Sequence, residues 1–173
     1  MLSCRYANLA DVESIVALVH SAYRGESSRV GWTTEADLID GTRTDADEVA
    51  ELINKPDSYI LLCERDNSLL ASVHLENRDD YAYLGMFAVS PQAQGQGVGK
   101  YLLTMAEEIV SRQWQCRFLE MTVISLRTDL IAWYERRGYQ RTGHYKPFPY
   151  GQLRYGMPRR DDLVLEVLHK KFI

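Results

Sequence analysis

The sequence predicts an α/β (α+β) fold with a mixed, mostly antiparallel central sheet of about seven strands and helices on both faces. Three observations lead there. Apolar runs at 58–64, 69–76 and 81–89 follow one another closely, separated by the polar turns 66–68 and 77–80, which makes an antiparallel meander. A strand, a glycine-rich turn, a helical pattern over 101–110 and a further strand at 116–124 imply one parallel pair. Helical apolar stripes stand before and after the meander.

In chain order, Ser3 to Tyr6 reads as a short first strand. Asp11 is placed to cap a helix whose apolar positions Val12, Ile15, Val16, Leu18 and Val19 form a stripe ending near Tyr23. Segment 25–44 is polar and glycine-punctuated, and its Trp32 is either an anchor onto the core or a pocket wall. Asp45 or Asp47 starts a second helix, with Val49, Leu52 and Ile53 inward, stopped before Pro56. After the meander, the helix following the glycines buries Leu102, Leu103, Ala106, Ile109 and Val110, with Glu107 and Glu108 outward. Thr128 or Asp129 caps a further helix that Gly138 closes after Arg136 and Arg137. Strands at 139–145 and 163–168 complete the sheet, joined by the long loop 146–162.

The chain turns on Gln94-Gly95-Gln96-Gly97-Val98-Gly99-Lys100. Strand, tight glycine turn and helix start together aim backbone N–H groups and a positive helix end at one point, an anion site. Two familiar phosphate loops fail on spacing. A P-loop needs Ser or Thr where Tyr101 stands, and the dinucleotide fingerprint needs glycine where Lys100 stands. What remains is Q-x-x-G-x-G at Gln94, Gly97 and Gly99.

Size and composition narrow the class. The 173 residues suit one domain, 1–173, with 46% hydrophobic and 25% charged residues. A net charge of −4 argues against broad nucleic-acid or anionic-membrane binding. No run approaches ~18 apolar residues, and the N-terminus lacks a charged-then-apolar leader pattern, so the expected location is cytoplasmic. Cys4, Cys63 and Cys116 are odd in number, widely spaced and without C-x-x-C, and read as reduced and structural. No metal is expected.

Two stretches carry a family resemblance. One is 84–103, containing the glycine turn, and the other is Asp129-Leu130-Ile131-Ala132-Trp133-Tyr134-Glu135-Arg136-Arg137-Gly138-Tyr139. Together with the element order they resemble the GNAT N-acetyltransferase family over nearly the whole chain, and so imply the acyl-CoA N-acyltransferase fold. The resemblance implies acetyl-CoA as cosubstrate. Gln94, Gly95, Gln96, Gly97, Val98, Gly99 and Lys100 would cradle its pyrophosphate through backbone N–H groups. Phe87, Ala88 and Val89 would hold the pantetheine arm as an added strand does. Tyr134 would donate a proton to the departing thiolate, since a phenol with a pKa near ~10 is protonated at neutral pH. Arg127 replaces an Asn common among relatives and is expected to meet a phosphate or orient the acceptor. Gly85 stands where some relatives carry a carboxylate base, which leaves Glu26, Glu35, Glu76, His74 and His144 as candidates with none preferred.

The implied activity is acetyl transfer to a primary amine by direct attack in a ternary complex. The acceptor is expected between segments 25–44 and 146–162 and is a small-molecule amine by preference. Protein N-termini or lysines come second, and an inactive CoA-binding regulatory module is the rival of a different class. The oligomeric state stays open, a homodimer included.

Overall fold

A computed structural model describes residues 1–172. A seven-stranded sheet is formed by β1 (Leu2–Tyr6), β3 (Ser58–Arg65), β4 (Ser68–Arg78), β5 (Tyr81–Val89), β6 (Phe118–Ile124), β9 (Val164–Lys171) and β7 (Gln140–Pro147), in that spatial order. β2 (Ile39–Asp40) and β8 (Met157–Pro158) pair separately. Every neighbouring pair of strands is antiparallel except β5 with β6. The mixed, mostly antiparallel sheet read from the sequence is the one observed.

Alternation along β3 sorts the core into two layers. Ile60 and Leu62 face the helices α1 (Val12–Tyr23) and α2 (Ala46–Asn54), whereas Leu61 and Cys63 face α3 (Val98–Glu108) and α4 (Thr128–Glu135). The first layer is built on Ile15, Val19, Val49 and Ala88, the second on Val73, Leu102, Leu119 and Ile131. Cys4, Cys63 and Cys116 are free thiols, and Cys4 lies opposite Cys63 in the β1–β3 register.

Several sequence expectations change in detail. Asp11 does not cap α1. It accepts the Asn8 N–H at 2.8 Å and pairs with Arg5, while the Asn8 side chain caps the turn ahead of the helix. Asp45 does cap α2, accepting the Glu48 N–H at 2.7 Å. Glu107 is not an outward residue, because Tyr139 Oη and Lys170 Nζ both donate to it at 2.9 Å. β4 runs two residues further than its apolar pattern, to Arg78.

One irregularity positions the site. β5 and β6 pair only over Tyr81–Phe118, Ala82–Leu119 and Tyr83–Glu120. Just beyond, the β4–β5 register slips between Ser72 and His74, and Met86 takes φ 45°. A bulge bends its strand, and here it turns β5 away from β6 so that the β6-facing edge past Tyr83 has no strand partner. The sheet opens into a notch at its middle.

Candidate active site

Two cavities meet at this notch. The smaller, about 260 Å³, is a groove along the end of β5 and the glycine turn, walled by Trp32, Thr33, Trp133 and Arg137. The larger, about 730 Å³, lies under segments 25–44 and 146–162. Tyr23, Phe87 and Leu130 line both, so the two cavities adjoin at these side chains.

The groove has the chemistry of a phosphate and thioester channel. Gly95 and Gly97 both take φ 79°, a conformation that a Cβ would strain. The first helical bond of α3 runs from the Tyr101 N–H to the Gly97 carbonyl at 3.0 Å, so the N–H groups of Val98, Gly99 and Lys100 have no partner within the helix. Gly99 brings the turn close to β5 in a different way, because a Cβ there would stand 3.3 Å from Val89 Cγ2. The guanidinium of Arg137 lies 3.6 Å from the centre of the Trp133 ring, and its buried Nε has no partner. Donors at a helix start, Lys100 and Arg137 together suit the phosphates of CoA, and the unpaired edge of β5 suits an extended arm.

Most residues expected to hold the cofactor gather here. Phe87, Val89, Gln94, Gly95, Gly97, Gly99 and Lys100 line the groove. Ala88 faces the opposite layer and Val98 is buried in the core, which leaves both only their backbone groups to offer. Gln96 is exposed and donates to the Gln92 carbonyl at 3.0 Å. Gln94 uses its side chain within the protein. It accepts the Trp32 N–H at 2.8 Å and donates to Thr33 Oγ1 at 2.9 Å and to the Val89 carbonyl at 3.0 Å. Arg127, expected beside the cofactor or the acceptor, lines the larger cavity and not the groove. Trp32 is a groove wall 6.4 Å from Trp133.

Tyr134 lines the larger cavity and sits edge-on to Phe87, with ring centroids 6.4 Å apart. Burial, and then Tyr23 beside it, push its phenol well above the usual range, so it is protonated at neutral pH. Among the described residues its hydroxyl has no hydrogen-bond partner. Tyr23 is half-buried, and its phenol is pushed up to about 12, first by loss of solvent and then by Glu35, but its hydroxyl is spent on the Phe87 carbonyl.

Of the proposed bases, Glu35, Glu76 and His74 line the cavity, whereas exposed Glu26, paired with Arg29, and exposed His144 do not. Burial works to raise the Glu76 carboxyl, but Lys55 and Arg78 donate to it and the net shift is downward. Burial, reinforced by Lys55 and Arg78, lowers His74 to about 4. Ser58 Oγ donates to the Leu52 carbonyl at 2.6 Å and so must accept from His74 Nε2 at 2.8 Å, which puts the basic lone pair on Nδ1. A side chain at Gly85 would displace the Tyr83 ring. A Cβ would lie 2.9 Å from Tyr83 Cε1, because the Tyr83 ring covers the position.

No local pattern marks Arg24, Arg43, Glu48 and Tyr83 as lining this cavity. They arrive from separate elements. Arg24 leaves the end of α1 and donates to the Thr42 and Tyr155 carbonyls, tying segment 25–44 to loop 146–162. Ile39 and Asp40 of β2 pair with Pro158 and Met157 of β8, and Arg159 pairs with Asp40 at 2.7 Å, so segments 25–44 and 146–162 form one wall.

The family described as Acetyltransferase (GNAT) family matches residues 17–139. The chain belongs to that family. Acetyl-CoA is the donor this family uses, and the groove's residues fit it. Among the curated relatives, the S-alkylcysteine N-acetyltransferase of Bacillus subtilis (strain 168) is 29% identical over 150 residues, 79% of this chain and 77% of that one. The ribosomal-protein-S18-alanine N-acetyltransferase of Escherichia coli superposes with a TM-score of 0.73 at 15% identity, covering 99% of this chain and 94% of that one. An N-acetyltransferase from Staphylococcus aureus Mu50 gives a TM-score of 0.71 at 14% identity, with 99% and 97% covered. At those identities the two structures establish the fold. This GNAT N-acetyltransferase has no helix among its described residues long and apolar enough to cross a membrane.

Proposed function

We propose that the protein transfers the acetyl group of acetyl-CoA to the primary amine of a small molecule, by direct attack in a ternary complex. The observation that carries this reading is the junction of groove and cavity at Tyr23, Phe87 and Leu130. A thioester at the end of the groove would face an amine in the larger cavity. The neutral amine nitrogen attacks the carbonyl carbon, the carbon–sulfur bond breaks, and the departing thiolate takes the Tyr134 proton. The amine's surplus proton leaves through cavity water, with Glu35, Glu76 and His74 within the same space. A volume of about 730 Å³ suits a small acceptor. The name of the Bacillus subtilis relative puts an amino acid first among the acceptors to try.

The test is release of free thiol from acetyl-CoA over a panel of amino acids, polyamines, amino-sugars and a peptide with a free N-terminus. Turnover is expected with a small amine. Acetyl-CoA binding without turnover of any amine would overturn the enzyme reading. A peptide outpacing every small amine would overturn the acceptor class.

A further inference from the structure

The acceptor cavity holds an ionic cluster that does not balance. Arg24 and Arg127 are 5% and 7% exposed, and a single carboxylate, Glu35, lies between them. Both contacts to it are long, 3.4 Å from Arg24 Nη2 and 3.9 Å from Arg127 Nη1. Arg127 Nη1 also donates to the Thr33 carbonyl at 3.1 Å, and its Nε stands 3.7 Å from Asp129. Among the described residues, buried Arg127 Nη2 and Arg24 Nε have no hydrogen-bond partner. A buried guanidinium with unmade hydrogen bonds is costly, and both of these belong to residues lining one cavity. In the wider lining Arg24, Arg43, Arg78, Arg127 and Lys146 stand with Glu35, Glu48 and Glu76, and Lys146 also pairs with Glu120 at 3.4 Å, so the unmade hydrogen bonds of Arg24 and Arg127, not the total charge, mark the cluster.

We infer that Arg127, with Arg24 beside it, forms the subsite for the carboxylate of an α-amino acid acceptor. The inference rests on the acetyl-transfer reading above and names the acceptor's class. Position favours an α-amino acid over other amino acids. Arg127 is three residues before Leu130, which lines the junction, and it bonds Thr33, which lines the groove. A carboxylate held there by a guanidinium leaves the amine one carbon away, next to where the thioester ends. The remaining walls, including Leu52, Leu84, Met86, Met121, Phe148 and Leu165, are apolar and suit an apolar side chain. The same pair of guanidiniums disfavours a polyamine.

S-Methyl-L-cysteine, its carboxamide and 2-(methylthio)ethylamine share an amine and a thioether and differ only at the carboxylate. The amine of the carboxamide is less basic, so more of it is neutral at pH 7 and chemistry alone favours it. The wild-type protein should nevertheless use the acid with a kcat/KM roughly 10- to 150-fold higher than either analogue, the worth of a charge-assisted hydrogen bond. In Arg127→Gln that ratio should collapse toward one. A purely structural role for Arg127 would lower kcat/KM for all three and leave the ratio standing, which would overturn the assignment. Equal use of all three by the wild-type protein would also overturn it while leaving acetyl transfer intact, and this arm needs no variant to fold. Calorimetry on the CoA-bound protein separates the remaining cases. The acid binding more tightly than its carboxamide with no turnover would sink acetyl transfer and keep the subsite, whereas equal or absent binding of both would sink the subsite.

Discussion

The Gln94 side chain accepts the Trp32 backbone N–H at 2.8 Å, across 62 positions of sequence. With its bonds to Thr33 and the Val89 carbonyl, it clasps the groove wall of segment 25–44 to the end of β5. Gly31 is the complement of this clasp, since a Cβ there would stand 2.5 Å from Gln94 Oε1. Gln94→Ala should therefore lower stability by about 1–3 kcal/mol, the net worth of the lost hydrogen bonds, and should weaken acetyl-CoA binding because Trp32 is no longer fixed. Urea unfolding and calorimetry measure the two effects. Unchanged affinity would show that the clasp does not shape the groove.

Gly97 and Gly99 should fail in different ways. Gly97 has φ 79° and no atom within 4 Å of a Cβ, so Gly97→Val places a branched side chain in the groove on a strained backbone. The strain costs about 1–2 kcal/mol, and acetyl-CoA Kd should rise at least tenfold. Gly99→Ala places a Cβ 3.3 Å from Val89 Cγ2 at ordinary φ, so acetyl-CoA Kd should change less than in Gly97→Val. Equal Kd values for wild type and Gly97→Val in a titration would remove the turn from the cofactor site.

His74 ties stability to pH. Its folded pKa of about 4 lies below the ordinary 6.5, so between these values the unfolded chain binds more protons than the folded one. Stability from this residue is complete above pH ~6.5 and is lost as pH falls toward ~4. From pH ~7 to ~5 the loss should be about 2 kcal/mol. His74→Gln keeps a donor for Ser58 and removes the titration, so its urea midpoint should fall less over that interval. Parallel curves for the two proteins would place the acid sensitivity elsewhere.

These expectations draw on features that differ in how far the sequence shows them. The meander, the helices and the glycine turn rest on local periodicity, and the strand Tyr81–Val89 has the same bounds in sequence pattern and structure. The β2–β8 pair was invisible because two-residue strands have no period and their partners lie over a hundred positions apart. The helix cap moved from Asp11 to Asn8 because Arg5 and the Asn8 N–H compete for the aspartate. Arg127 could be read as a departure from the family pattern, but its setting depends on Thr33, Glu35 and Arg24, which only folding brings near. Arg137 suits a helix end by sequence, while its place over Trp133 in the groove depends on how the chain packs.

Two phenols line the larger cavity, Tyr23 at the junction and Tyr134 buried beside Phe87, and their hydrogen bonding tells them apart. Tyr23 already donates to the Phe87 carbonyl, so its proton serves the strand edge. Tyr134 has a free hydroxyl in the acceptor cavity, and burial keeps it protonated well past neutral pH. Tyr134→Phe should lower kcat by roughly 100-fold or more, the usual worth of a positioned acid, with acetyl-CoA Kd little changed. Because that hydroxyl has no protein partner, stability should move by less than about 1 kcal/mol. Tyr23→Phe should lower kcat less. Stopped-flow thiol release with both variants checks the order, and a larger kcat loss in Tyr23→Phe would reassign the acid to Tyr23.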